Sequence, residues 1–449
     1  MPLPICSPIT IVSRRPPTAG RLFVSLLVSL LAGLVAGAVV APSLLAQDTA
    51  QRGVRIGLAY EAGGKPGIVM LPVSGPMGDS IRAIVARDLD YGDRVNVVDV
   101  EVASGEVMAR GAPNWPLLAR LGAAAAVQAT QTPIGIHLAV YNVATRQTAL
   151  VRDYVTPPAS AVRGWRAAVH GLSDDLEESF TGTRGVARSR VLFERGRRIW
   201  VVDSDGEQVT PVSGAPTAAS PAWHPGGRLF AYSTYVPSQI VVQEFAGEPR
   251  VVASGSGVYI SPTFTPDGAS VLYAHGTDDG VDIHTTRLAG GGAHRLSVGR
   301  GSDNVSPSMS PDGRRVAFTS GRAGHPEIYT MDSDGTNVDL LTPLDFGESA
   351  YRASPDWSPD GRLVAFQSRI AGNFQVMTAS LRDRGLRQLT SDGRNEEPSW
   401  APDARHLVFV SDRSGVRQLW VLDAESGRTR QLTHGTAARM PAWSPRLTT

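Results

Sequence analysis

The stretch S-P-D-W-S-P-D-G, Ser354 to Gly361, decides the fold because it recurs. Its relatives are S-P-A-W-H-P-G-G at Ser220 to Gly227, S-P-T-F-T-P-D-G at Ser261 to Gly268, S-P-S-M-S-P-D-G at Ser306 to Gly313, E-P-S-W-A-P-D-A at Glu397 to Ala404 and M-P-A-W-S-P-R at Met440 to Arg446. The first prolines, Pro221, Pro262, Pro307, Pro355, Pro398 and Pro441, are separated by 41, 45, 48, 43 and 43 residues. That period is the length of a four-stranded propeller blade. Three short segments of alternating polarity follow each phrase, for example R-R-V-A-F-T-S after Gly313, then E-I-Y-T-M-D, then V-D-L-L-T. Period-two alternation predicts strands. Pro-Asp-Gly supplies the reversal between the phrase and the next strand, because proline presets one φ and glycine accepts a positive φ. The aromatic positions Trp223, Phe264, Trp357, Trp400 and Trp443 (Met309 in the third phrase) are expected to wedge between blades.

The ends of the array complete one another. Arg188 to Val212 supplies the later three strands of a unit with no leading phrase, and the last phrase, from Met440, has no strands after it. Pairing the two closes a ring of six blades and removes the open sheet edges.

Ahead of the array the grammar changes. Val54 to Tyr60, Ile68 to Val73 and Val95 to Val100 read as strands, and Asp79 to Leu89 and Trp115 to Leu121 as helices. Ala125 to Val155 reads as consecutive strands. The clearest helix is Ala161 to Phe180, where Val162, Trp165, Val169, Leu172, Leu176 and Phe180 share one face. The expected architecture is an N-terminal α/β domain, residues 47–185, followed by a six-bladed β-propeller, residues 186–449, closed by the C-terminal strand. Residues 1–46 read as a signal peptide: Arg14, Arg15 and Arg21 precede the apolar run Leu22 to Val40, with cleavage expected after Ala46. An uncleaved anchor is the alternative, since the run is long enough to span a bilayer. Cys6, the one cysteine, falls inside that segment, so the mature chain is expected to lack thiol, disulfide and lipidation chemistry.

With the repeats set beside that domain, the chain resembles the TolB family of the Tol-Pal cell-envelope system. Three stretches carry the resemblance: I-V-A-R-D-L-D-Y-G-D-R-V-N-V-V-D (Ile84 to Asp99), H-G-L-S-D-D-L-E-E-S-F-T-G-T-R-G-V-A-R-S-R-V-L-F (His170 to Phe193) and P-A-W-S-P (Pro441 to Pro445). The resemblance implies a periplasmic, non-enzymatic scaffold. Its propeller would bind a peptidoglycan-associated lipoprotein, and its N-terminal region would engage inner-membrane Tol proteins, supporting envelope integrity and outer-membrane constriction at division. Family members place a His and a Thr before the second and third phrase prolines as lipoprotein contacts. Val258 and Val305 stand at those positions here, with Ser261 at a third contact position.

The loops leading into each phrase are the candidate partner site: Tyr259 and Ile260, Asn304 and Val305, Tyr351 and Arg352, Asn395 and Glu396, Arg439 and Met440. Tyr and Arg are the residue types that anchor protein interfaces. A formal net charge of +1 gives no reason to expect nucleic acid, a membrane role only through partners is expected, and so is a monomer. No cofactor or metal is expected. The sequence has no G-x-S-x-G elbow or H-E-x-x-H. Asp203-Ser204-Asp205-Gly206 and Asp332-Ser333-Asp334-Gly335 open like calcium loops but lack the closing glutamate, at Val212 and Leu341. The nine histidines are expected mainly on the surface or in turns, with His224 near one channel mouth. Two other readings stay open: a metal-dependent propeller hydrolase or lyase, which needs inward-facing acidic and His ligands, and a propeller sensor or binding module outside the Tol system.

Overall fold

A computed structural model describes residues 56–58, 64–98, 107–109, 111–299, 302–343 and 351–447. The signal-peptide segment, Cys6 and most of the strand expected at Val54 to Tyr60 lie outside the described residues. Among the described residues, no helix is long and apolar enough to cross a membrane.

Six four-stranded antiparallel sheets follow one another along the chain. Blade 1 contains Arg190–Arg195, Arg198–Asp203 and Thr210–Pro211, with Arg439–Trp443 as its innermost strand. Blades 2 to 6 start at Ala218, Val258, Asn304, Arg352 and Asn395. In blade 1 the terminal strand pairs antiparallel with Arg190–Arg195, placing Arg439 opposite Glu194 and Trp443 opposite Val191. The seam is reinforced by side chains: Trp443 Nε1 donates to Ser189 Oγ at 2.7 Å, and Arg190 N donates to Ser444 Oγ at 3.0 Å. Each phrase aromatic packs between blades. Trp357 sits with Ala317 and Ile328 of the preceding blade, and Trp400 with Ala365 and Val376. Burying such a ring removes apolar surface from water at roughly 25 cal/mol per Å², so these wedges drive blade stacking.

The N-terminal region is a five-stranded sheet in the order Asn96–Val97, Gly67–Met70, Ala123–Thr132, Gly135–Asn142, Gln147–Val155. The Gly67–Met70 strand is parallel to both of its neighbours, and the last three strands form an antiparallel meander. Helix α1 (Gly78–Tyr91) and helix α3 (Val162–Thr181) cover one face, with α2 (Trp115–Arg120) between them in sequence. The apolar stripe of α3 (Trp165, Val169, Leu172, Leu176 and Phe180) enters one core with Ile81, Val85 and Leu89 of α1. Gly182, at φ 76°, ends α3 in a left-handed cap. The join then runs straight into the first blade, because the buried carboxylate of Asp174 accepts the backbone N–H of Ala187 and Arg188.

Candidate functional site

The central channel is built by the repeat phrases themselves. In every blade the innermost strand slips register at the phrase: between Ala219 and Ala222, Ile260 and Thr263, Val305 and Ser308, Ala353 and Asp356, Glu396 and Ser399, and Arg439 and Ala442. The residue before each first proline takes a positive φ: 48° at Ser220, 52° at Ser261, 53° at Ser306, 55° at Ser354, 54° at Glu397 and 50° at Met440. Non-glycine residues seldom adopt that conformation. A β-bulge here breaks the ladder at the one residue that has no N–H to give, which is how a proline fits inside a strand. The bulged residues line a cavity of about 380 Å³ together with Thr263, Ser308, Asp356 and Ser399.

One belt of hydrogen bonds stitches neighbouring blades inside this channel. Trp357 N donates to Ser308 Oγ at 3.0 Å, Trp400 N to Asp356 Oδ2 at 2.7 Å and Trp443 N to Ser399 Oγ at 3.1 Å. Burial pushes the Asp356 carboxyl up to about 6, against the lowering pull of Trp400 N, Ser399 and Ser308. Glu397 is likewise raised by burial, while its Oε2 accepts Met440 N at 2.7 Å. The lining therefore offers hydroxyls, prolines and two carboxyls. No imidazole, thiol or amine stands among the described lining residues, and Ser308 Oγ donates to Asp356 Oδ1 at 3.4 Å. His224 lies at the turn end, where Gly226 N donates to its Nδ1 at 2.9 Å and Nε2 is 3.2 Å from the Gly268 carbonyl of the next blade.

Ten of the residues expected at the mouth divide by burial. Val258, Tyr351 and Arg439 are exposed, and Glu396 and Val305 are half-buried. Ser261 lines the channel. Tyr259, Asn304, Arg352 and Asn395 are buried. Tyr259 stacks on His275 with centroids 4.3 Å apart. Asn304 Nδ2 donates to Asp282 Oδ1 at 2.9 Å, and its Oδ1 accepts Ser320 Oγ at 2.7 Å. Asn395 does the same with Gln375 at 2.8 Å and Arg413 at 2.9 Å. Arg352 donates to the Thr342 carbonyl at 2.7 Å and lies 3.3 Å from Glu327. These networks rest on a Ser or Thr fourteen residues after the backbone N–H it caps: Ser213 on Ile199, Ser297 on Ile283, Thr342 on Ile328, Thr390 on Val376 and Thr433 on Leu419. The L-S or L-T that closes four of the units, with Val212-Ser213 in the first, is the sequence signal for them.

A second cluster lies where the α/β region meets the propeller, and two histidines expected in surface or turn positions are buried in it. His170 on α3 is 2.8 Å from Asp88 on α1 and 3.7 Å from Asp205 in the blade 1 turn. Arg87 and Arg166 also reach Asp205. Asp88, His170 and Asp205 present donor atoms within 4.8 Å of one another. The two guanidiniums already bring to Asp205 the positive charge a cation would supply, so the group works as an ion-pair hub. Burial alone would lower the His170 pKa, but Asp88, Asp205 and Asp203 override it and hold it raised. Burial would raise the Asp205 pKa, but His170, Arg166 and Arg87 keep it lowered. Farther along the same boundary, Arg94 bridges Glu177 at 2.9 Å and Asp403 at 3.0 Å, His406 is 2.8 Å from Asp403, and Arg428 is 2.6 Å from Asp90.

Among the described residues, these ion pairs end on the turn side of blades 1 and 6, where the Pro-Asp-Gly reversals lie. The mouth residues lie at the other end of the channel.

Comparison with known proteins agrees with this architecture. The family model described as the TolB beta propeller domain matches residues 177–447. A Tol-Pal system protein TolB from Alcanivorax borkumensis is 32% identical over 143 residues, covering 29% of this chain and 32% of that protein. One of the same name from Polaromonas naphthalenivorans is 28% identical over 190 residues, covering 39% of this chain and 43% of that protein. The aligned stretches thus span less than half the length of these curated relatives. The crystal structure of TolB from Acinetobacter baumannii superposes with a TM-score of 0.75 at 25% identity, covering 88% of this chain and all of that one. With six blades closed by the C-terminal strand and an α/β region ahead of them, the chain belongs to the TolB beta-propeller family.

Proposed function

We propose that this chain is a non-enzymatic periplasmic scaffold of a Tol-Pal-like envelope system. Its propeller mouth binds a peptidoglycan-associated lipoprotein and its N-terminal region engages inner-membrane Tol proteins, so that the complex supports envelope integrity and outer-membrane constriction at division. The observation that carries this reading is the division of labour between the propeller's two ends. The α/β region occupies the turn end, and the mouth end presents the exposed Val258, Tyr351 and Arg439. The names of the curated relatives support a binding role over an enzymatic one. Mild crosslinking in cells, followed by pull-down of the mature chain, is expected to recover an outer-membrane lipoprotein that binds peptidoglycan, and deletion is expected to cause envelope leakage and chaining. Intact envelopes on deletion, together with no lipoprotein recovered, would sink the proposal.

A further inference from the structure

The mouth of the propeller is chemically lopsided. The turn joining the two middle strands of blade 2 places Tyr235 and Val236 in solvent, 47% and 76% exposed, and Val258 at the start of blade 3 is 48% exposed. They form one lip. Tyr235 N and Val236 N both donate to Thr217 Oγ1, at 3.3 and 3.4 Å, and Tyr259 N donates to Ser238 Oγ at 2.9 Å. On the blade 1 side the lip continues into Arg197 and Arg198, both exposed, and the Arg197 carbonyl accepts Ala218 N at 2.8 Å. On the blade 3 side stand the exposed Asp278 and Asp279. Water-exposed apolar side chains grouped at one rim and flanked by opposite charges have the anatomy of a recognition patch rather than of scattered surface valines.

We infer that this lip is the specificity-determining part of the mouth, and that it takes a partner segment placing an apolar side chain against Tyr235, Val236 and Val258 and a carboxylate against Arg197 and Arg198. The inference rests on the proposed lipoprotein-binding reading and deepens it. Charge complementarity chooses the partner's polarity: Arg197 and Arg198 attract its acidic flank, and Asp278 and Asp279 disfavour the reverse orientation. Apolar contact supplies the affinity, because burying Val236 and Tyr235 removes exposed hydrocarbon from water.

The test titrates the mature chain with the soluble peptidoglycan-binding domain of the lipoprotein from the same cells, at low and high salt. Val236→Asp is expected to weaken binding by about tenfold or more, as loss of a buried anchor does. Arg198→Glu is expected to weaken it by a few fold, roughly, and to flatten its salt dependence. Val338→Asp, at an exposed apolar position on the turn side of blade 4, serves as the control and is expected to bind as the unaltered chain does. Thermal melts confirm that the variants fold. If Val236→Asp and Arg198→Glu both bind like the unaltered chain, the lip inference is overturned and the lipoprotein reading stands. If the unaltered chain does not bind the lipoprotein domain at all, both fall.

Discussion

The two ends of this propeller are made from the same repeat and do opposite things. At the turn end, blades 1 and 6 present charged turns that are desolvated against the α/β region: Asp205 under Arg87, Arg166 and His170, and Asp403 under Arg94 and His406. At the mouth end, the equivalent polar groups are turned inward onto their own ring, as in the Asn304, Arg352 and Asn395 networks, and the exposed remainder is apolar or singly charged. The repeat fixes the frame. What differs is whether a polar side chain finds its partner within the ring, on the preceding blade, or in the α/β region.

The comparison breaks most readily at Asp205. Asp205→Ala removes the buried acceptor shared by two arginines and a histidine, leaving Arg87 to Glu207, Arg166 to Asp203 and His170 to Asp88. A loss of about 3 kcal/mol is expected, from hydrogen bonds to a charged group at roughly 1.5–3 kcal/mol each, read as a lower unfolding midpoint and as new protease cleavage in the Thr181 to Gly185 join. An unchanged midpoint would mean that the boundary is not held by this hub.

Acidity should act on the docked end. Burial, with Asp174 and Asp403 nearby, pushes Glu177 up to about 8, and burial pushes Asp174 up to about 7. Both acids therefore bind a proton more tightly folded than unfolded, as does His170 with its raised pKa. Stability contributed by the two acids is fully present near pH 4 and is lost as pH rises to about 8. The His170 contribution is present below about 6.5 and is lost at higher pH. Asp205 and Asp403, held low, oppose this only below about pH 4, where their contribution disappears as they protonate. The expected outcome is a fall in stability on the order of a few kcal/mol between pH 5 and pH 8, made shallower by Glu177→Gln. A flat profile over that range, or an identical slope in the variant, would contradict it.

The mouth end gives smaller effects that sharpen the contrast. Asn395→Ala removes a buried amide that bonds both Gln375 and Arg413 and is expected to cost about 1–3 kcal/mol in denaturant titration. Tyr351→Ala, at an exposed position edge-on to Phe374, is expected to change stability by less than about 0.5 kcal/mol. Equal costs for the two would mean that burial does not separate framework from recognition residues at this end.

Much of the frame was legible because the repeat reports local physics. Proline, aromatic and Asp-Gly positions mark turns and wedges whose partners are at fixed offsets, and the stripe of α3 needs only its own periodicity. The ring closure was legible from two fragments that complement each other. The mouth was less legible. Asn304, Arg352 and Asn395 have the same residue types as recognition anchors, and only the threonines and acids reaching them from the preceding blade, such as Thr342 and Glu327 beneath Arg352, turn them into framework. His170 is hidden for a related reason: its carboxylates, Asp88 at 2.8 Å and Asp205 at 3.7 Å, come from another helix and a blade turn, and no local pattern announces a long-range ion pair. The serine bulges, by contrast, had a signal in plain view, a proline inside a strand.

The closure of blade 1 also sets a timetable. Trp443 bonds to Ser189 across 254 residues of chain, so the innermost strand of the first blade is made only after the other five blades. Until it arrives, Arg190–Arg195 presents an unpaired edge, and contacts of such long sequence separation form slowly. A chain made from its N-terminus would therefore wait as an open crescent, exposed to edge-to-edge pairing with its neighbours, and become a ring only when Arg439–Trp443 is delivered.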